Sequence, residues 1–318
     1  MNKKFTALVI LVALAISALA VSEVVRKGEK KLMIASTTSI YDTGLLDEIA
    51  DNYRASRSTS LYFLALGTGQ SLGHARRGDA DAVLVHSPQL ENLFLVEGTG
   101  GARKIIAYNF FAIVGPPNDP AGIVNMPPLS ALQKIAQENR TWVSRGDNSG
   151  THTKEKSLWK SADIQLSQIQ GMSWYLESGT GMGQTLLIAN ERGAYTLADM
   201  GTYLKYKTDN LVNLKILVEQ GRELLNVYSV MAVNPENHPN VNFSGAVQFI
   251  EFMVSENGQK LIGDFGVTKY GRPLFYPAVQ LLQENTDSQL ASWIRDDAFF
   301  ENSECPQRYR LGQEQLYQ

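Results

Sequence analysis

The chain has 318 residues, of which 44% are hydrophobic and 19% charged, so it is long enough for two soluble domains of ordinary size. Its formal net charge of −3 provides no basic face for nucleic acid, and we expect no nucleic-acid partner. Cys305 is the only cysteine, which excludes an intramolecular disulfide and a thiolate metal cluster. The four histidines never lie four residues apart, so we predict no metal site and no cofactor.

Residues 1–22 have the pattern of an export signal. Lys3 and Lys4 precede a segment without charge that runs from residue 5 to residue 21, and Ala18-Leu19-Ala20 fits the small-residue rule for cleavage. A segment of about 17 apolar residues is also near the lower limit for an uncleaved membrane anchor. Either outcome places the folded part outside the cytoplasmic membrane, on its periplasmic or extracellular face, secreted or anchored by this segment.

Beyond a charged linker, short apolar segments alternate with helical patterns. Residues 32–35, 61–66 and 82–85 read as strands, and Leu45, Leu46, Ile49 and Tyr53 have the spacing of one helix face. The order of strand, polar turn, helix and strand predicts an α/β fold with a mostly parallel sheet flanked by helices.

Two later strands predict a hinge. Residues 108–114 run into Gly115-Pro116-Pro117, and residues 226–233 end before Pro235. Two proline-terminated strands that bracket a central region suggest one lobe inserted into another, with two crossings between them. The predicted division is residues 1–22 as signal or anchor, residues 32–114 plus 232–280 as lobe 1, residues 115–231 as lobe 2, and residues 281–318 as a C-terminal extension.

Four turns combine hydroxyl groups and glycine at the start of a predicted helix, at residues 36–39, 67–69, 145–151 and 179–183. A helix N-terminus presents unpaired backbone N–H groups and a partial positive charge, which favour an anion. One such turn is commonly a plain helix cap. Four turns at the carboxyl ends of strands in two facing lobes would converge on one small anion.

The third turn also supplies a fixed charge. Arg145 offers a forked guanidinium suited to an oxyanion, and Asp147 is placed to brace it. Gly146 and Gly150 let the loop fold around a ligand.

These segments resemble the tungstate-binding proteins of tungstate ABC importers, which have the two-lobed type II periplasmic-binding-protein fold with a two-crossing hinge. The resemblance covers roughly residues 32–277 and is carried by Ser36-Thr37-Thr38-Ser39, Gly67-Thr68-Gly69-Gln70, Val85-His86-Ser87-Pro88 and the run from Ser144 to His152. It implies capture of tungstate, with molybdate as a further substrate, for delivery to a membrane permease, by a monomer that is not an enzyme and has no catalytic residues. The ligand contacts that it implies are Thr37, Thr38, Ser39, Thr68, Arg145, Ser149 and Thr151. From the residue types of the Arg145 loop, we expect Asp147 and Gly150 to lie behind these contacts. Residues after about 280 extend beyond the family pattern.

Two other functions compete with this interpretation. A phosphate- or sulfate-binding protein of the same fold is one, although hydrogen phosphate calls for an acceptor, and the stretch from His86 to Gln89 contains no acid. An exported hydrolase that uses Ser39 or Ser149 is the other, but neither serine lies in a G-x-S-x-G motif. His86 and His152 are expected to be hydrogen-bonded structural histidines, unless they line the cleft.

Overall fold

The computed structural model describes residues 30–318, so the predicted export segment at residues 1–22 lies outside the described part of the chain. Within residues 30–318, no helix combines the length and the apolar character needed to cross a membrane.

A parallel βαβ unit forms the first part of the fold. Strand β1 pairs in parallel with both β2 and β3, so the carboxyl ends of these three strands lie at one edge. Gly44 takes a left-handed conformation (φ 88°) and separates two consecutive helices. The elements are β1 (Lys30–Thr37), α1 (Thr38–Thr43), α2 (Leu45–Arg57), β2 (Thr59–Leu66), α3 (Thr68–Arg76), β3 (Ala82–Val85) and α4 (Pro88–Val96).

Two long antiparallel strands, β4 (Gly100–Gly115) and β9 (Leu225–Val233), connect the lobes. β4 pairs with β9 as far as Phe110, and from Phe111 onward it pairs with strands of the second lobe. The fold class is confirmed, but the sheet is mixed rather than mostly parallel, because both connecting strands run antiparallel to their neighbours. The predicted lobe boundaries fall at the end of β4 and inside β9. β4 changes partners after Phe110, and β9 begins at Leu225, opposite Phe110.

The second lobe lies between these strands. β5 and β6 are parallel, and Trp142 bridges to Tyr195, which brings β5 beside β7. Its elements are α5 (Pro128–Gln137), β5 (Trp142–Ser144), α6 (Gly150–Ser161), α7 (Leu166–Ile169), β6 (Tyr175–Glu177), α8 (Met182–Arg192), β7 (Thr196–Asp199), α9 (Met200–Thr208) and β8 (Lys215–Val218). Trp142 and Trp159 are fully buried in its core.

The chain then returns to the first lobe. Helix α10 packs Phe249 and Met253 against the core of β1 and β2. The remaining elements are α10 (Phe243–Val254), α11 (Glu256–Asp264), α12 (Val267–Tyr270), β10 (Tyr276–Pro277), α13 (Val279–Glu284) and α14 (Ser288–Ala298).

The C-terminal extension is packed against lobe 1. The guanidinium of Arg103 on β4 is fully buried and donates to the carbonyl of Ala298 at 2.7 Å and to Glu91 at 2.7 Å. Glu304 pairs with Lys104 at 2.6 Å, and the hydroxyl of Tyr317 donates to the carbonyl of Arg103 at 2.9 Å.

Candidate oxyanion site

Helix starts from both lobes face one another across the cleft. Thr37 and Gly67 precede α1 and α3 in lobe 1, and Ser149 precedes α6 in lobe 2. A methyl group added to Gly67 would lie 3.8 Å from the Cα of Ser149, and one added to Gly150 would lie 2.8 Å from the imidazole of His86. The hydroxyl-rich turns are therefore in contact between lobes.

Lobe 1 contributes buried hydroxyl groups. The Oγ1 of Thr37 lies 3.2 Å from the Oγ of Ser39, and the Oγ1 of Thr68 has no hydrogen-bond partner among the described residues. A buried hydroxyl without a partner costs free energy, so Thr68 suits a ligand at this position. Thr38 is half-buried. Ser36, although part of the same motif, donates to the carbonyl of Leu84 and joins β1 to β3.

Arg145 is the charge in lobe 2, with only 2% of the residue exposed. Its guanidinium pairs with Asp147 at 2.5 Å and lies 3.5 Å from the Oγ1 of Thr151. Its Nε donates to the carbonyl of Thr180 at 3.4 Å. The fourth turn therefore holds the guanidinium through a backbone carbonyl, a role that the sequence did not indicate.

The loop around Arg145 is closed by short local bonds. Asp147 accepts from the N–H of Ser149 at 3.1 Å, and the Oγ of Ser149 accepts from the N–H of His152 at 3.2 Å. His152 in turn accepts the N–H of Asn148 at 3.0 Å, while its Nε2 is buried without a partner in the described structure. Burial lowers the pKa of His152, with a further lowering from Lys156. Six of the seven predicted contacts are thus buried, and Thr38 is half-buried.

A buried carboxylate fixes the strand and helix that carry this loop. Glu155 on α6 accepts from the indoles of Trp142 at 2.8 Å and Trp159 at 3.2 Å, and from the hydroxyls of Ser144 at 2.8 Å and Tyr175 at 2.9 Å. Burial raises the pKa of Glu155, and the four donors oppose that shift. Because a fully satisfied buried network specifies one geometry, the position of the loop is well defined.

Two acidic side chains lie within electrostatic range of Arg145. Burial raises the pKa of Asp199 to about 6, and burial also raises the pKa of Asp42. The Oδ1 of Asp199 accepts from the N–H of Thr202 at 2.9 Å and so caps α9, whereas its Oδ2 has no partner within residues 30–318. The sequence did not point to Asp199. A residue that caps α9 carries no local signal that the fold brings it within electrostatic range of Arg145.

His86 lies in the cleft and belongs to a chain of buried polar side chains. Its Nε2 lies 3.1 Å from the Oγ of Ser39, and its Nδ1 lies 2.9 Å from the Oδ1 of Asn226. The amide of Asn226 donates to Asn109 at 2.9 Å and to the hydroxyl of Tyr228 at 2.7 Å. Sequence reasoning missed the two asparagines, although each is an isolated amide within an apolar strand, which is the signal that could have found them.

Within residues 30–318, no group of three or more histidine, cysteine or acidic side chains is arranged to hold a metal ion.

Comparison with known proteins identifies the family. A family model described as the PBP superfamily domain matches residues 25–257, which is more than two thirds of the chain. The tungstate-binding protein TupA of Peptoclostridium acidaminophilum is 42% identical over 249 residues, covering 77% of this chain and 85% of the relative. The chain belongs to the periplasmic-binding-protein superfamily, in the same family as the TupA proteins.

Solved structures of this family agree with the fold. The tungstate-binding protein TupA from Desulfovibrio alaskensis G20 is 44% identical, with a TM-score of 0.68 over 78% of this chain and 98% of that chain. A structure titled as the tungstate ABC transporter from Geobacter sulfurreducens is 42% identical, with a TM-score of 0.68 over 74% of this chain and 98% of that chain. Members of this family are extracytoplasmic solute-binding proteins.

Proposed function

We propose that the protein captures tungstate outside the cytoplasmic membrane and delivers it to the permease of an ABC importer. The observation that carries this proposal is the convergence, in a buried cleft, of Arg145 with hydroxyls and helix starts from both lobes. The names of relatives that are 42–44% identical over most of the chain support tungstate as the ion.

The proposed contacts are those that the family resemblance implies. Rotatable hydroxyls, backbone N–H groups and a forked guanidinium are all donors, which match a fully ionised tetrahedral dianion with no hydrogen to donate. The proposed contacts are Thr37, Thr38, Ser39, Thr68, Arg145, Ser149 and Thr151, with Asp147 bracing the guanidinium and Gly150 giving the close approach of α6. Serine hydrolysis through Ser149 is disfavoured, because Ser149 caps α6 and accepts the N–H of His152 through its Oγ. We also propose that the protein acts as a monomer and uses no cofactor.

Hydrogen phosphate is the second candidate, and Asp199 is the reason to retain it. Its Oδ2 is a buried acceptor without a partner among the described residues, and such an oxygen could receive the hydrogen of a protonated oxyanion. The sequence had suggested that no acid was available for this purpose.

Calorimetric titration of residues 23–318 with tungstate, molybdate, sulfate and phosphate tests the proposal. We expect tungstate to bind more tightly than phosphate, because an O–H placed among donors leaves a mismatch that costs about 1–3 kcal/mol. Equal or tighter binding of phosphate would refute the tungstate assignment and favour the second candidate. Tight binding of both tungstate and molybdate would retain the mechanism and widen the substrate class.

A further inference from the structure

His86 stands at the junction between the cleft hydroxyls and the buried amides of the connecting strands. The side chain is buried, with 5% of the residue exposed, and its ring stacks on Tyr228 at 4.8 Å between centroids. Both ring nitrogens have a partner at hydrogen-bond distance, Ser39 on one side and Asn226 on the other.

The amides determine which ring nitrogen carries hydrogen. Because the amide nitrogen of Asn226 donates to Asn109 and Tyr228, its carbonyl oxygen faces the Nδ1 of His86. The orientation of Asn109 is fixed in turn by its donation to a backbone carbonyl at 3.3 Å. The Nδ1 of His86 therefore carries a hydrogen, and in the neutral ring the Nε2 is an acceptor.

This tautomer turns two hydroxyls away from an anion. Ser39 must donate its single hydrogen to the Nε2 of His86, and Thr37 then donates to Ser39. A fully ionised oxyanion beside Ser39 would meet lone pairs instead of a donor. Protonation of the Nε2 reverses the chain, because the imidazolium donates to Ser39 and frees the hydrogens of both hydroxyls for the ligand.

The charges around the cleft also favour protonation of His86 when an anion binds. The positive charge of Arg145 is matched by Asp147 at 2.5 Å, so a doubly charged ion requires more compensation than this pair provides. His86 is a titratable group already bonded to a predicted ligand contact.

We propose that His86 is a positioning residue that sets the donor direction of Ser39 and Thr37, and that it takes up a proton when a doubly charged oxyanion binds. This inference rests on the proposed function and concerns the mechanism by which the same cleft accepts its ion.

The surroundings of His86 support coupled protonation. In the free protein, burial lowers the pKa of His86 to about 4, the hydrogen bond with Asn226 opposes this, and Arg145 lowers it further. The ring also faces Phe111 on β4 and Tyr228 on β9, and the pKa of Tyr228 is raised by burial, so that its hydroxyl stays neutral. A bound dianion acts in the opposite sense and raises the pKa of His86. Affinity should therefore increase as the pH falls toward the free pKa of His86.

Calorimetry in buffers of different ionisation enthalpy measures the coupled proton directly. With micromolar tungstate at pH 6.5, we expect wild-type protein to take up more than about half a proton per ion, and to bind more weakly as the pH rises to 8. His86→Gln places an amide group near the position of the Nε2. This amide donates a hydrogen bond but does not titrate. We expect it to keep affinity within about tenfold of wild type and to lose the proton uptake. His152→Gln is the matched control and should retain the uptake.

The alternative outcomes are distinct. Tight tungstate binding without proton uptake leaves the proposed function intact and overturns this inference, as does uptake that persists in His86→Gln but disappears in His152→Gln. Nitrogen-15 NMR of the wild-type imidazole does not depend on any variant folding. We expect the neutral Nδ1–H tautomer in the free protein and the imidazolium in the complex. Absence of tungstate binding would refute the proposed function, and an Nε2–H ring in the free protein would by itself overturn the inference.

Discussion

Replacing Arg145 with alanine should remove most of the affinity for the oxyanion. The guanidinium is 2% exposed and is bonded to Asp147, Thr151 and the backbone of Thr180. Its loss leaves the carboxylate of Asp147 without its cation, and it removes the favourable electrostatic interaction between Asp199 and Arg145. Truncating one partner of a buried hydrogen-bonded charge pair costs about 2–5 kcal/mol, which corresponds to a decrease in affinity between about thirtyfold and several-thousandfold.

Calorimetric titration with tungstate measures this loss, and two further variants separate its causes. Arg140→Ala, in the same lobe, removes an exposed guanidinium paired with Glu138 at 3.1 Å, and it should leave the affinity unchanged. Combining Arg145→Ala with Asp147→Asn should recover part of the affinity, because the unpaired carboxylate is then gone. An affinity for Arg145→Ala within threefold of wild type, with an unchanged circular dichroism spectrum, would show that Arg145 lies outside the site.

Three further predictions concern stability. Asp199→Asn retains the cap on α9 and removes a buried charge, so by denaturant titration its free energy of unfolding, relative to wild type, should be about 2–3 kcal/mol higher at pH 7 than at low pH. The raised pKa of about 6 means that this gain should disappear as the pH falls toward 4. Gly150→Ala should lower the melting temperature, because the added methyl group would lie 2.8 Å from the imidazole of His86. Gly69→Ala is the control and should not lower it, because its methyl group would have no neighbour within 4 Å. Arg103→Met should cost about 3–5 kcal/mol in the same denaturant assay, because it leaves Glu91 buried and unpaired.

The turns of the site could be predicted because their signals are local. Residues 145–151 combine an arginine with hydroxyls and glycines over seven positions, and the cap at Ser149 and the brace at Asp147 both act within that span. Short-range hydrogen bonds of this kind follow from residue type and spacing alone.

The change of strand partner along β4 could not be predicted with the same accuracy. Residues 105–114 form one buried strand in which no breaker marks the change of partner after Phe110. Whether a residue pairs with one lobe or the other depends on strands more than 80 positions away. Asn109 and Asn226 illustrate the same limit, since their bond joins positions 117 residues apart.

The C-terminal extension explains a feature of β4 that its sequence obscures. Arg103 and Lys104 are adjacent cations, a pattern that suggests at least one exposed face, yet both side chains are almost completely covered. The cover comes from the backbone of Ala298 and the side chain of Glu304, which lie beyond the residues that the family model matches. A buried guanidinium is tolerated only when its donors are satisfied. The extension must therefore be in place for β4 to keep this arrangement, which makes it part of the structure of lobe 1 and not an appended tail.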